Sequence, residues 1–160
     1  MSLKIIPSAE AMIDLGGRYA ADAKLGDVFA LVGDLGTGKT HWSKGFVRGL
    51  CPKIPVTSPT FSIVNEYSDS AHTIFHFDFY RLKSEQELID LGWDEYLDQA
   101  AIVICEWADL FPHLMPENTK WLEIRHQPDG SRTVVERGAA AISARDIVAD
   151  LPREPRLKEI

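Results

Sequence analysis

Gly33-Asp34-Leu35-Gly36-Thr37-Gly38-Lys39-Thr40 is the stretch on which the reading of this chain turns. It meets the spacing G-x-x-x-x-G-K-[ST] at every fixed position, the pattern of a loop whose backbone amides surround phosphate oxygens. Immediately before it, Val28-Phe29-Ala30-Leu31-Val32 is an apolar run of strand length, and His41 to Leu50 after it reads as a helix. Strand, loop and helix in that order supply what the chemistry needs. The glycines let N–H groups turn inward, and the helix N-terminus adds partial positive charge. The expected ligand is a nucleoside triphosphate cradled by Gly33, Asp34, Leu35, Gly36, Thr37, Gly38, Lys39 and Thr40. Lys39 would reach the β- and γ-phosphates, and the Thr40 hydroxyl would bind Mg²⁺. A glycine-rich turn with an incidental lysine would not require both flanks.

Outward from the loop, 160 residues with 45% hydrophobic content suit one soluble domain, able to bury about two thirds of its unfolded surface. The domain is expected over 1–151, with a loose charged tail over 152–160. No basic stretch followed by an apolar run opens the chain, and no run approaches the ~18 apolar residues of a membrane helix. A cytoplasmic location is expected. Cys51 and Cys105 are far apart and lack C-x-x-C spacing, so both are read as reduced and structural.

Charge is unevenly spread. There are 17 basic and 24 acidic residues, a net charge of -7, and from Ser84 to Thr119 there is neither lysine nor arginine. That window carries Glu85, Glu87, Asp90, Asp94, Glu95, Asp98, Glu106, Asp109 and Glu117. Such a surface repels phosphate backbones and weighs against tight, direct nucleic-acid binding. It reads mainly as a solvated helix face, with a docking surface for a basic partner as the sharper alternative.

In chain order, Ser8 to Ala23 predicts an opening helix with Ser8 as N-cap. Phe61 to Tyr67 and Thr73 to Phe79 alternate as strands of a hairpin across Ser68-Asp69-Ser70. Ser84-Glu85-Gln86-Glu87 is a capping box opening a short helix, and Trp93 to Leu97 adds another turn. Ala101 to Cys105, continuous and apolar, predicts a central strand covered on both faces and ending in Glu106. Trp121 to His126 and Arg132 to Glu136 form a second hairpin, and Ser143 to Leu151 a last helix. The fold class is α/β: a three-layer fold with a mixed parallel and antiparallel sheet around one phosphate-binding unit.

Such a site needs a strand-end carboxylate for Mg²⁺ and a group that orients the nucleophile. Glu106 suits the metal role, because a buried parallel strand delivers it to the sheet edge where the Gly33 loop lies. Asp78, within His76-Phe77-Asp78-Phe79-Tyr80-Arg81, would orient water or the metal shell, or else pair with Arg81 or cap a loop. His76 reads as a packed, hydrogen-bonded strand histidine. Ser58 and Thr60 either sense the γ-phosphate or serve turn chemistry around Pro59. Lys39, Asp78 and Glu106 are the catalytic candidates, and Thr40 and Glu106 the metal candidates.

Gly33 to Thr40, Thr57-Ser58-Pro59-Thr60-Phe61, His76-Phe77-Asp78-Phe79-Tyr80-Arg81-Leu82 and Glu106-Trp107 occur together and in this order. In this the chain resembles the TsaE family, formerly YjeE, over about Ile6 to Ile142. The resemblance implies a P-loop NTPase-like fold and a bacterial ATPase of tRNA N6-threonylcarbamoyladenosine (t6A) synthesis. Its partners would be TsaB and TsaD, with tRNA reached indirectly through the complex, at the adenosine beside the anticodon. The resemblance further implies ATP and Mg²⁺ as cofactors, Thr40 and Glu106 as metal ligands, and Asp78 as necessary for hydrolysis. Trp107 would lie near the nucleotide, Arg132 on the adenine side, and the segment around Ser8 and Ala9 against the base. Thr37 stands where many members have alanine.

The residues themselves favour ATP over GTP, since no N-K-x-D guanine reader is present; Asn118-Thr119-Lys120-Trp121 has the wrong order. Two rival classes share the loop. A small-molecule kinase needs a lid and several arginines, which the window from Ser84 to Thr119 does not offer. A nucleotide-regulated binding module would differ by lacking productive hydrolysis. With neither a lid nor an internal arginine finger evident, hydrolysis by the chain alone is expected to be slow and to be completed by partner proteins.

Overall fold

Two apolar runs set the centre of the sheet, and the remaining strands are added outward from them. In the computed structural model, which describes residues 2–59 and 61–138, the elements run in this order. They are β1 (Ser2–Ile6), α1 (Ala9–Asp22), β2 (Val28–Val32), α2 (Lys39–Leu50), β3 (Val64–Ser68), β4 (Thr73–Asp78), α3 (Glu85–Asp90), α4 (Trp93–Leu97), β5 (Ile102–Glu106), β6 (Lys120–His126) and β7 (Arg132–Gly138). Single 3-10 turns lie at Ala108–Leu110 and Pro112–Leu114. The seven strands form one sheet ordered β1-β7-β6-β2-β5-β4-β3. Every residue of β2 and β5 is buried, as continuous apolar runs in a twice-covered parallel sheet must be. β2 pairs in parallel with β5 and β6, and β5 with β4. The outer pairs β3/β4, β6/β7 and β1/β7 are antiparallel. The expected mixed three-layer α/β fold is therefore observed.

Period-two alternation divides the sheet's side chains between two cores. On one side Phe29, Leu31, Ile104, Leu122 and Ile124 pack under α1 and α2, against Leu15, Trp42 and Phe46. On the other, Val28, Ala30, Phe77, Val103 and Cys105 meet Leu88 of α3, Trp93 of α4 and Phe111. The helices on the first side approach unusually closely. A Cβ on Gly45 of α2 would lie 1.9 Å from the Ile13 carbonyl oxygen of α1, and one on Gly16 of α1 2.0 Å from that of Trp42. Because α2 begins at Lys39, this backbone contact fixes where the phosphate loop sits.

Local signals behave as expected where they are short-range. Ser8 caps α1, its Oγ accepting from the Ala11 N–H at 3.1 Å. Ser84 caps α3 by accepting from Glu87 N–H, and the Glu87 carboxylate reaches back to the Lys83 N–H, one residue further than the usual capping box. Both hairpins form. The first begins later than the alternation suggests: Phe61 and Ser62 lie in a turn and β3 starts at Val64. The cause is Ile63, whose φ of 69° is incompatible with extended chain. β1 is not predicted by the sequence pattern, with Leu3 and Ile5 both exposed. Cys51 and Cys105 are free and buried. No helix among the described residues is long and apolar enough to cross a membrane. Thr60, the helix expected over Ser143 to Leu151 and the tail from Pro152 to Ile160 lie outside the described residues.

Candidate functional site

The C-terminal ends of β2, β4 and β5 converge at the head of the loop. Register places Leu31 beside Glu106, and Glu106 beside Asp78. A cavity of about 260 Å³ opens there, lined by residues that include Gly38, Lys39, Thr40, Asp78, Glu106 and Trp107. The cavity thus unites the loop, both candidate carboxylates and Trp107. Gly38 takes φ 110° as N-cap of α2, a conformation that glycine adopts without a Cβ penalty, and so turns the chain from loop into helix.

The Thr40 hydroxyl donates to Glu106 Oε1 at 3.0 Å, and Glu106 Oε2 lies 2.5 Å from His76 Nε2. Glu106 and His76 are both buried. Among the described residues no group of three His, Cys, Asp or Glu side chains could hold a metal. Mg²⁺ at a phosphate loop takes one or two protein oxygens and completes its shell with phosphate and water. Thr40 and Glu106, already in contact, fit such a donor set.

Lys39 is buried and folded back on its own loop. Its Nζ donates to the carbonyls of Gly33 at 2.6 Å and Asp34 at 2.7 Å, and stands 4.3 Å from the centre of the Trp107 ring. The loop pattern predicts that this ammonium points at phosphate. A desolvated ammonium has three donors to satisfy, and the two loop carbonyls and the Thr37 hydroxyl, at 3.4 Å, accept them. Burial pushes its pKa below the usual lysine value, opposed by the negative charges of Glu106, Asp109, Asp78 and Asp34. Trp107 is itself held in a left-handed conformation, φ 60°, directly after β5, with its N–H on the Leu31 carbonyl. Backbone strain of this kind concentrates at functional sites. Here it turns the indole to face Lys39 and Tyr80, the latter ring centre 4.9 Å away.

Asp78 Oδ1 accepts from the Tyr80 N–H at 2.9 Å, and the Asp78 N–H donates to the Ile63 carbonyl. The strained Ile63 thereby ties the preceding loop to the site. Within that loop Thr57 is pinned by the Tyr67 hydroxyl and the Asn65 amide. Arg81 lies over the Phe61 ring, 4.3 Å from its centre. Arg132 also reaches the phosphate loop, on its carbonyl side. Its guanidinium donates to Gly36 O and Thr37 O, both at 3.2 Å, and to Gly130 O at 2.8 Å. The Ser8 side chain is engaged in its cap.

The family model described as "Threonylcarbamoyl adenosine biosynthesis protein TsaE" matches residues 6–134, most of the chain. The chain belongs to the TsaE family. A relative from Bacillus subtilis, a tRNA threonylcarbamoyladenosine biosynthesis protein TsaE, is 43% identical over 115 residues, covering 72% of each chain. The TsaE protein of Haemophilus influenzae is 31% identical over 129 residues, 78% of this chain and 82% of that one. The crystal structure of Bacillus subtilis YdiB superposes with a TM-score of 0.71 at 30% identity, covering 93% of this chain and 91% of the other. The TsaE resemblance read from the four motifs is therefore upheld.

His76 is, as its place on a strand predicts, packed and hydrogen-bonded, and its partner is the candidate carboxylate Glu106. Period-two spacing puts His76 and Asp78 on one face of β4, but the significance of His76 depends on Glu106, 30 residues away.

Proposed function

We propose that this chain is the ATP-binding and ATP-hydrolysing member of the t6A-forming machinery, dependent on Mg²⁺ and slow by itself. The observation that carries this reading is the Thr40–Glu106 contact at the head of the loop, with Lys39 and Asp78 on the walls of the same cavity. Bound Mg²⁺ would neutralise charge on the β- and γ-phosphates. The loop amides from Gly33 to Thr40 would bind the phosphates, and Thr40 and Glu106 would hold the metal. Lys39 leaves the Gly33 and Asp34 carbonyls for phosphate oxygens, which return to the ammonium stronger, charged acceptors. Asp78, its Oδ1 fixed by the Tyr80 amide, orients the attacking water, and the Trp107 indole shields the phosphates from bulk solvent.

Catalysis of phosphoryl transfer rests on positioning and charge stabilisation. The described cavity is open and supplies one cation, Lys39, from its own lining. A partner therefore completes the site; by family resemblance this is the TsaB and TsaD pair in the cytoplasm, through which tRNA is reached. Steady-state ATP hydrolysis, with and without the two partners, tests this reading. Turnover is expected to rise by about 10³-fold or more on their addition, the effect of one cationic group supplied to a phosphoryl-transfer site. Fast hydrolysis that ignores them would favour a self-sufficient ATPase. No hydrolysis under either condition would favour a nucleotide-regulated binding module.

Arg132 acts in this scheme by holding the loop from behind, its guanidinium keeping the Gly36 and Thr37 carbonyls turned away from the phosphates. Arg132→Met is expected to weaken ATP binding about tenfold, the loss of two charge-assisted bonds at about 1 kcal/mol or less each where part-exposed. Titration of Trp107 fluorescence with nucleotide measures it, and unchanged affinity would remove Arg132 from the site.

A further inference from the structure

We propose that His76 is a positioning residue for the metal carboxylate: its Nε2–H holds one oxygen of Glu106 so that the other faces Thr40. The proposal rests on the reading of Thr40 and Glu106 as the Mg²⁺ ligands.

The geometry is a relay of three side chains from three elements: His76 of β4, Glu106 of β5 and Thr40 of α2. Glu106 divides its oxygens between the two neighbours, Oε2 on His76 Nε2 at 2.5 Å and Oε1 on the Thr40 hydroxyl at 3.0 Å. A carboxylate only accepts, so the imidazole carries its proton on Nε2. The other ring nitrogen, Nδ1, is buried with no hydrogen-bond partner among the described residues. His76 itself has no exposed surface. An imidazole used only for packing would leave both nitrogens to satisfy, and an aliphatic side chain would fill the same place at lower cost. One unpartnered nitrogen is thus tolerated because the other does something specific. Neighbours held in this way fix a ligand's orientation and raise its affinity for the ion. His76 cannot drift: its strand is paired on both sides, with Asn65 of β3 and Ile104 of β5 opposite it.

The test uses the full-length chain and a non-hydrolysable ATP analogue, with affinity measured by calorimetry in excess Mg²⁺ and in EDTA. The ratio of the two dissociation constants reports how strongly the protein holds the metal, independent of turnover. His76→Leu removes the donor, and this ratio is expected to fall about tenfold, as for other residues behind metal ligands, with affinity in EDTA unchanged. His76→Gln, which keeps an N–H near the Nε2 position, is expected to restore the ratio to within about threefold of the parent. His76→Asn, polar but too short to reach, should behave like the leucine variant and decides the matter if that variant does not fold. Glu106→Gln is the reference. If it leaves the ratio unchanged, the metal reading itself fails and the role of His76 with it. If it collapses the ratio while Leu or Asn at 76 does not, His76 alone is overturned. Equal losses in the Leu, Asn and Gln variants would likewise overturn it, since they would report packing rather than the hydrogen bond.

Discussion

Lys39→Met is expected to lower ATP turnover by about 10²- to 10³-fold, the cost of deleting one preorganised charge at a phosphoryl-transfer centre. Methionine keeps most of the stem's length and apolar contacts, so the loss isolates the ammonium. The structure adds a second consequence. Nζ lies 4.3 Å from the centre of the Trp107 ring while it bonds to the Gly33 and Asp34 carbonyls. When nucleotide draws the ammonium toward phosphate, that cation leaves the indole face, so Trp107 emission should change on ATP addition. In the methionine variant the cation-dependent part of this change is absent. Initial rates at saturating ATP·Mg²⁺ and a fluorescence titration of both proteins measure the two effects. Undiminished turnover in the variant would exclude this loop from the reaction.

Gly45→Ala is expected to destabilise the fold by about 3 kcal/mol, at the upper end of typical overpacking costs. Alanine is the better helix former by about 1 kcal/mol, so propensity by itself predicts the opposite sign. Contact geometry decides against it. The new Cβ would stand 1.9 Å from the Ile13 carbonyl oxygen and 2.6 Å from its carbon, both backbone atoms of α1 that no rotamer change can move. The helices must separate, and with α2 moves Lys39 at its first turn. A drop in Tm of about 10 °C follows for a chain of this size, and nucleotide affinity falls with it. Gly17→Ala is the matched control. Its Cβ would find its nearest neighbour, the Gly45 carbonyl oxygen, at 3.7 Å, so there the propensity gain stands and stability should hold or rise. Thermal unfolding of both variants gives the comparison; equal effects would show that propensity rather than close approach governs this helix pair.

Much of this protein is determined by sequence alone, because its strongest signals are local. A glycine-lysine-threonine spacing, an apolar run before it, a serine cap at Ser8 and continuous apolarity from Ala101 to Cys105 each act over one or two turns of chain. They suffice for the loop, α1, β2, α2 and β5, and for the expectation of a nucleotide ligand. Strand-end position likewise singled out Glu106 and Asp78, since parallel strands deliver their C-terminal residues to one edge. The four ordered motifs carried the family.

Tertiary structure decided what depends on partners distant in sequence. β1 is five residues long with Leu3 and Ile5 well exposed; its backbone becomes a strand only because β7, some 130 residues on, offers a ladder. Ile63 adopts a left-handed conformation that its own chemistry disfavours, held by bonds to Pro59 and Asp78. Lys39 turns to carbonyls rather than outward because the closed loop surrounds it, and Arg132 finds the far side of that loop across 96 residues. His76 is the clearest case. Alternation fixes the face it occupies, but a histidine's role follows from what stands within hydrogen-bond reach of its ring, and only the pairing of β4 with β5 brings Glu106 there.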